Sequence, residues 1–213
     1  MEVLYITLFL FVAYLLGSIP TSVWIGKFFY NIDVREFGSG NAGATNTFRV
    51  LGTKAGIPVL IIDVLKGTAA VSLSFLSGFA MDTPFFTNFQ IGLGIASLVG
   101  HIFPIFAGFR GGKGVATILG VVMCITPVSC SVALLVFLTV LFITRYVSLS
   151  SIMAGISYPI ILNLGMHNHD MILIVFSILT AVLLIITHRK NIVRLLNKTE
   201  SRIKFYNKAA NNR

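Results

Sequence analysis

The chain has 213 residues, 56% of them hydrophobic and only 11% charged, with a mean hydropathy of +0.91. A soluble domain carries about a quarter charged residues, so the composition excludes an ordinary globular protein and defines an all-α integral membrane one. The net charge of +9 would fit a nucleic-acid binder, but where the charges sit, described below, assigns them to a membrane surface instead.

Residues 3–26 form the first apolar run, with Glu2 ahead of it. It has neither the basic n-region nor the small-residue cleavage site of a signal peptide, so it is expected to stay as the first span. A polar, glycine-rich island follows, GSGNAGATNTFRVLG, from Gly38 to Gly52. The second span is predicted over residues 55–79. It carries Asp63 and Lys66, which at i, i+3 share one helix face. Each would cost about 2.5–3.5 kcal/mol at the bilayer centre. They must therefore face the bundle interior, as a structural ion pair or as part of a site.

The third span is predicted over residues 89–109 and runs into a second island, FRGGKG, ending at Gly114. Residues 114–144 are too few for two spans of ~20 residues and too many for one. Pro127 interrupts them, which predicts two short helices or a re-entrant hairpin. Residues 149–164 and 172–187 are the last apolar runs, and from His188 the chain is polar and basic, expected as a short helix or frayed tail. Cys124 and Cys130 lie in apolar sequence and are expected as buried thiols, with no disulfide framework and no metal site. No repeat or linker divides the chain, so residues 1–213 are expected to form one membrane domain.

All of the 16 Lys and Arg residues except Lys66 fall in the connection after the first run, in FRGGKG, at Arg145, or in the tail. The connections near residues 81–88 and 163–170, which include His167 and His169, carry none. Under the positive-inside tendency the basic segments share the cytoplasmic side. That arrangement predicts about seven transmembrane helices, with the N-terminus outside and the C-terminus in the cytoplasm.

Both islands then lie at one mouth of the bundle. Glycine admits positive φ and close backbone approach, and successive amides at a helix start can cradle phosphate or carboxylate. In the first island Ser39, Asn41, Thr45 and Asn46 are candidate neutral ligands and Arg49 a bidentate one. In the second, Gly111, Gly112 and Lys113 are candidates, with Arg110 nearby. A nucleotide P-loop is excluded, because Ala107 stands at its first glycine and Gly114 follows the lysine. A third cluster, RYVSLSS, places Ser148 and Ser151 on one face of a helix start, with Arg145 just outside. His101 and His188 are expected close to the same face.

Taken together, GSGNAGATNTFR, DVLKG, GHIFPIFAGFRGGKG, RYVSLSS and THRKN resemble the motifs of the PlsY family of bacterial membrane acyltransferases. The resemblance implies a seven-helix bundle in the cytoplasmic membrane with its active site on the cytoplasmic side. It also implies transfer of a fatty acyl group from acyl phosphate to glycerol 3-phosphate, without cofactor or metal. Matching positions imply substrate binding by Ser39, Arg49, Lys113, His188 and Asn191, with Lys113, Arg49 and His188 serving the chemistry. Lys66, Arg145, Ser148 and Ser151 are further candidates. A soluble enzyme that makes acyl phosphate is an expected partner. The proton acceptor stays open between a substrate phosphate oxygen and His188. The HxxxxD pattern of other glycerolipid acyltransferases is absent, since Phe106, Ile172, Ile174 and Val193 follow the four histidines at that spacing. A transporter of phosphorylated solutes is the alternative from another class.

Overall fold

The computed structural model describes residues 1–165 and 170–203, and these are helical with no strand. His167 and His169, together with Lys204, Lys208 and Arg213, lie outside the described residues. The helices are α1 (Glu2–Gly17), α2 (Thr21–Tyr30), α3 (Ala44–Leu51), α4 (Thr53–Ser72), α5 (Pro84–Ile102), α6 (Val115–Ile125), α7 (Pro127–Thr144), α8 (Val147–Ile160), α9 (Met171–Thr187) and α10 (Arg189–Leu196).

Local chemistry sets the boundaries. Thr83 Oγ1 accepts from Phe86 N at 3.2 Å and Pro84 opens α5, satisfying one of the helix's unpaired first-turn donors. Asp170 does the same for α9 through Ile172 N and Leu173 N. The apolar run at 3–26, expected as the first span, forms two helices instead of one. Pro20 has no N–H to continue the ladder, and the chain bends by 40° between α1 and α2.

The interruption at Pro127 does produce two helices, meeting at Thr126. However, α6 has only 11 residues, or about 16 Å of rise against a hydrocarbon core of about 30 Å. By length and composition four segments can cross alone: Thr53–Leu76, Pro84–Ala107, Pro127–Thr144 and Val147–Leu164. The bent pairs α1–α2 and α9–α10 bring the number among the described residues to at most 6. A seventh crossing would depend on the short α6.

Helix α4 packs on α6, α1 on α5, and α8 on both α7 and α9. Glycine allows the two closest crossings. A Cβ on Gly67 of α4 or Gly120 of α6 would overlap the other helix's backbone, and so would one on Gly17 of α1 or Gly100 of α5. Small residues at crossings are how membrane helices gain contact where apolar burial gives little drive. The outer face is apolar, with Leu135, Phe142 and Ile143 of α7 exposed, as a lipid-facing surface requires. The chain is a multi-pass membrane protein.

One end of the bundle gathers four polar connections. Asp33 holds Arg35 by Nε (2.9 Å) and Nη2 (2.7 Å), and Arg35 Nη1 reaches Ala107 O (2.7 Å) and Arg110 O (3.3 Å). The Arg35 guanidinium, against the cost of burial, holds the Asp33 carboxyl well below the usual carboxylate range. This clasp ties the connection before α3 to the one before α6. Past α10, Ile203 N donates to Arg145 O at 2.9 Å, and the Arg202 guanidinium carbon sits 4.9 Å from the Tyr146 ring centre. The tail is thereby fixed to the α7–α8 turn.

Candidate active site

A cavity of about 360 Å³ opens at this end and continues between α6, α7, α8 and α9. Its mouth is polar. Ser39, Asn41, Thr45, Asn46 and Arg49 line it from the first island, and Lys113 from the second. Ser148, Ser151, His188 and Asn191 line it from α8 and the α9–α10 junction. Its inner arm is apolar, with Leu119, Val122, Leu134, Phe137, Ala154 and Leu184 among its walls.

The first turns of α3, α6 and α8 all face the cavity, through Ala44 and Thr45, Val115 and Ala116, and Val147 and Ser148. First-turn amides lack intrahelical acceptors, and the helix dipole adds positive potential there. Three such ends at one cavity form an anion-accepting mouth. Lys113 supplies a cation in it. Burial pushes its ammonium down to about 8, with Glu200 opposing that shift and Arg194 and Arg49 adding to it. Its Nζ donates to Asn191 Oδ1, and the Arg49 guanidinium donates to Ser201 Oγ.

Four of the sequence candidates lie outside the cavity lining. Gly111 and Gly112 do not line the cavity as a cradle. Their N–H groups donate to Ile102 O and His101 O, both at 3.1 Å, at the exposed carbonyl end of α5. Glycine is needed because a Cβ on Gly111 would overlap the His101 carbonyl, and one on Gly112 the His101 ring. The pair docks the Lys113 loop onto the end of α5.

Lys66 is also behind the cavity wall. Its Nζ bonds Asp63 Oδ1 and Ile19 O, each at 2.9 Å, and Ile19 lies in the break between α1 and α2. Asp63 Oδ1 also accepts from Thr21 Oγ1 at 3.1 Å. Arg145 is exposed in the α7–α8 turn at φ 62°, away from the cavity lining. Arg110 is exposed as well.

Asn46 reaches the cavity, but its amide is occupied. Oδ1 accepts from Ser39 N (2.8 Å) and Ser39 Oγ (3.1 Å), while Nδ2 donates to Val34 O and Phe37 O. Its effect is to shape the loop that presents Ser39. Ser151 Oγ donates back to Val147 O at 2.9 Å. His188 Nδ1 lies 2.8 Å from Leu184 O, so Nδ1 carries the proton and the neutral ring keeps an Nε2 lone pair.

Sequence reasoning left the place of two residues open and missed a third. Asp63 and His101 line part of the cavity, and His101 Nδ1 is 3.0 Å from Thr117 Oγ1. Glu200, 9% exposed, accepts from Ser148 Oγ (3.1 Å), Asn191 Nδ2 (2.8 Å) and Arg194 Nε (2.6 Å). Its only sequence signal is that it is the one acidic residue after Asp170, set in a basic tail.

The site is a cationic mouth opening into an apolar cleft of a helical membrane protein. The particular family follows from comparison: the chain belongs to the glycerol-3-phosphate acyltransferase family, matched over residues 7–198. It is similar to the glycerol-3-phosphate acyltransferase of Bacillus cytotoxicus, 48% identical over 201 residues, 94% of this chain and 96% of that protein. The Enterococcus faecalis enzyme is 44% identical over 207 residues, covering 94% and 93%. Among solved structures, PlsY, an integral membrane glycerol 3-phosphate acyltransferase, matches in its glycerol 3-phosphate form at TM-score 0.83 and 40% identity, covering 93% of this chain and 96% of that one. Its lysophosphatidic acid form matches at TM-score 0.78 and 39% identity, covering 93% and 95%.

Proposed function

We propose that the protein transfers a fatty acyl group from acyl phosphate to the 1-hydroxyl of sn-glycerol 3-phosphate, giving lysophosphatidic acid and inorganic phosphate. The observation that carries this reading is one continuous cavity with a cationic mouth and an apolar arm. The glycerol 3-phosphate and lysophosphatidic acid forms of a protein with this fold support the acceptor and the product.

Both substrates bring phosphates, which repel each other unless cations and amide dipoles hold each one. Lys113 and Arg49 supply the cations, and the first turns of α3 and α6 supply the dipoles. Ser39, Asn41 and Thr45 add neutral ligands, and the acyl chain lies in the arm between α6 and α9. Fixing the glycerol hydroxyl against the acyl carbonyl makes a bimolecular step effectively unimolecular. The hydroxyl oxygen attacks the carbonyl carbon, and donors near the carbonyl oxygen stabilise the oxyanion. The bond from that carbon to the bridging phosphate oxygen then breaks. The hydroxyl proton passes to a phosphate oxygen, so neither an acyl-enzyme nor a protein base is required. His188, with Nε2 available as an acceptor, orients the hydroxyl. The site faces the cytoplasm of a bacterial inner membrane, where a soluble enzyme could hand over acyl phosphate.

Purified protein in liposomes, given palmitoyl phosphate and radiolabelled glycerol 3-phosphate, tests this against solute transport. Label is expected in solvent-extractable lysophosphatidic acid. Intact glycerol 3-phosphate accumulating inside the vesicles, with no lipid product, would sink the acyltransferase reading.

A further inference from the structure

Glu200 lies beyond the residues matched to the family, yet it is the hub of the hydrogen bonds on one side of the mouth. We propose that Glu200 is a positioning residue that makes Ser148 and Asn191 present acceptor oxygens to the cavity, Ser148 to the glycerol hydroxyls and Asn191 to the Lys113 ammonium. This rests on the reading of the cavity as a glycerol 3-phosphate site.

The hydrogen-bond inventory carries it. A serine hydroxyl has one proton, and Ser148 gives it to Glu200 Oε1. What faces the cavity from Ser148 is then a lone pair, which can accept from a substrate hydroxyl but cannot donate to a phosphate. Asn191 gives an amide proton to the same oxygen, which decides the amide's direction and leaves Oδ1 for Lys113. A reversed amide would set an NH₂ group against an ammonium. Arg194 Nε holds the other carboxylate oxygen, so Glu200 cannot turn away. Burial alone would push the Glu200 carboxyl up. Its hydrogen bonds from Arg194, Asn191 and Ser148 outweigh that and leave it below the usual range, hence ionised.

The mouth therefore has two sides. Lys113, Arg49 and the helix starts donate to phosphate, whereas Ser148, Asn191 Oδ1 and His188 Nε2 accept. A ligand with phosphate at one end and hydroxyls at the other matches that division. The groups facing Lys113 are Glu200 from the tail, Arg194 from α10, Arg49 from α3 and His188 from the α9–α10 junction. Glu200 is the carboxylate among them.

The test is competitive acetylation of Lys113, read by mass spectrometry against pH, beside kcat/KM for glycerol 3-phosphate. In Glu200→Gln the acetylation midpoint is expected to fall by roughly one pH unit, and kcat/KM at neutral pH by about tenfold or more. Glu200→Asp keeps the charge and is expected to hold the midpoint near that of the wild type. An unchanged midpoint in Glu200→Gln would overturn the proposal even if activity fell, because a merely structural role moves activity alone. Should Glu200→Gln fail to accumulate, the same midpoint is read in Glu200→Ala, and an unmoved value there overturns it equally. A wild type that never acylates glycerol 3-phosphate would refute the functional reading, while the acetylation midpoints would still judge Glu200.

Discussion

Replacing Lys113 by alanine is expected to lower kcat/KM for glycerol 3-phosphate by about 10²–10³-fold, the cost of removing one transition-state anion partner of about 2.7–4 kcal/mol. The fold should survive, because Lys113 sits in the loop before α6 and its side chain is held by Asn191 at the cavity mouth instead of in the apolar core. The same residue sets an alkaline limit. Its ammonium lies near 8, lowered from the ordinary lysine value chiefly by burial, and phosphate binding requires the charged form. In the wild type kcat/KM is therefore expected to hold below about pH 8 and to fall as pH rises through it. kcat, read on the occupied site, should hold to higher pH, because a bound phosphate restores the proton. Toward acid, protonation of the glycerol 3-phosphate dianion near pH 6 leaves a monoanion, which the cationic mouth holds less strongly. Steady-state rates across pH for wild type and Lys113→Arg check this, and an alkaline limb unmoved by arginine would contradict it.

Gly111→Ala is expected to be nearly as damaging without removing any polar group. Its Cβ would overlap the His101 carbonyl, which is backbone and cannot swing aside. The loop must lift from the end of α5, breaking the Gly111 and Gly112 hydrogen bonds and carrying Lys113 away from Asn191. Misplacement by about 1 Å can cost on the order of 10² in rate. Loss of kcat/KM at that scale, with Tm nearly unchanged in detergent, is the expected pattern. Full activity would show that the loop does not have to dock there.

Much of the site was legible because its chemistry is written in short polar stretches inside an oily chain. Ser39, Thr45, Arg49, Lys113, Ser148, His188 and Asn191 stood out by contrast with their surroundings, and all line the one cavity. The common end of the bundle was legible from charge. Backbone direction was not legible. A glycine pair reads the same whether its amides face a ligand or a neighbouring helix end, so Gly111 and Gly112 looked like a cradle. Lys66 looked available because the helix break at Pro20, which exposes the Ile19 carbonyl as its partner, reads as one continuous apolar run. Arg145 misled because the sequence shows its charge but not the left-handed turn that aims it outward. Glu200 gave almost no signal, since its role comes from a tail folding back over α8 and α10.

The helix count shows a similar limit. Pro127 marked the α6–α7 break, but composition could not say that α6 would have only 11 residues. Length alone supports four to six crossings among the described residues.

The most direct measurement is inorganic phosphate release by the purified protein. Palmitoyl phosphate would be supplied with and without glycerol 3-phosphate, and palmitoyl-CoA offered as donor in a parallel tube. Phosphate is expected only when palmitoyl phosphate and glycerol 3-phosphate are both present, matched one for one by lysophosphatidic acid, with no product from the CoA ester. Lysophosphatidic acid formed from palmitoyl-CoA, and none from palmitoyl phosphate, would contradict the proposed donor and the two-phosphate account of the site.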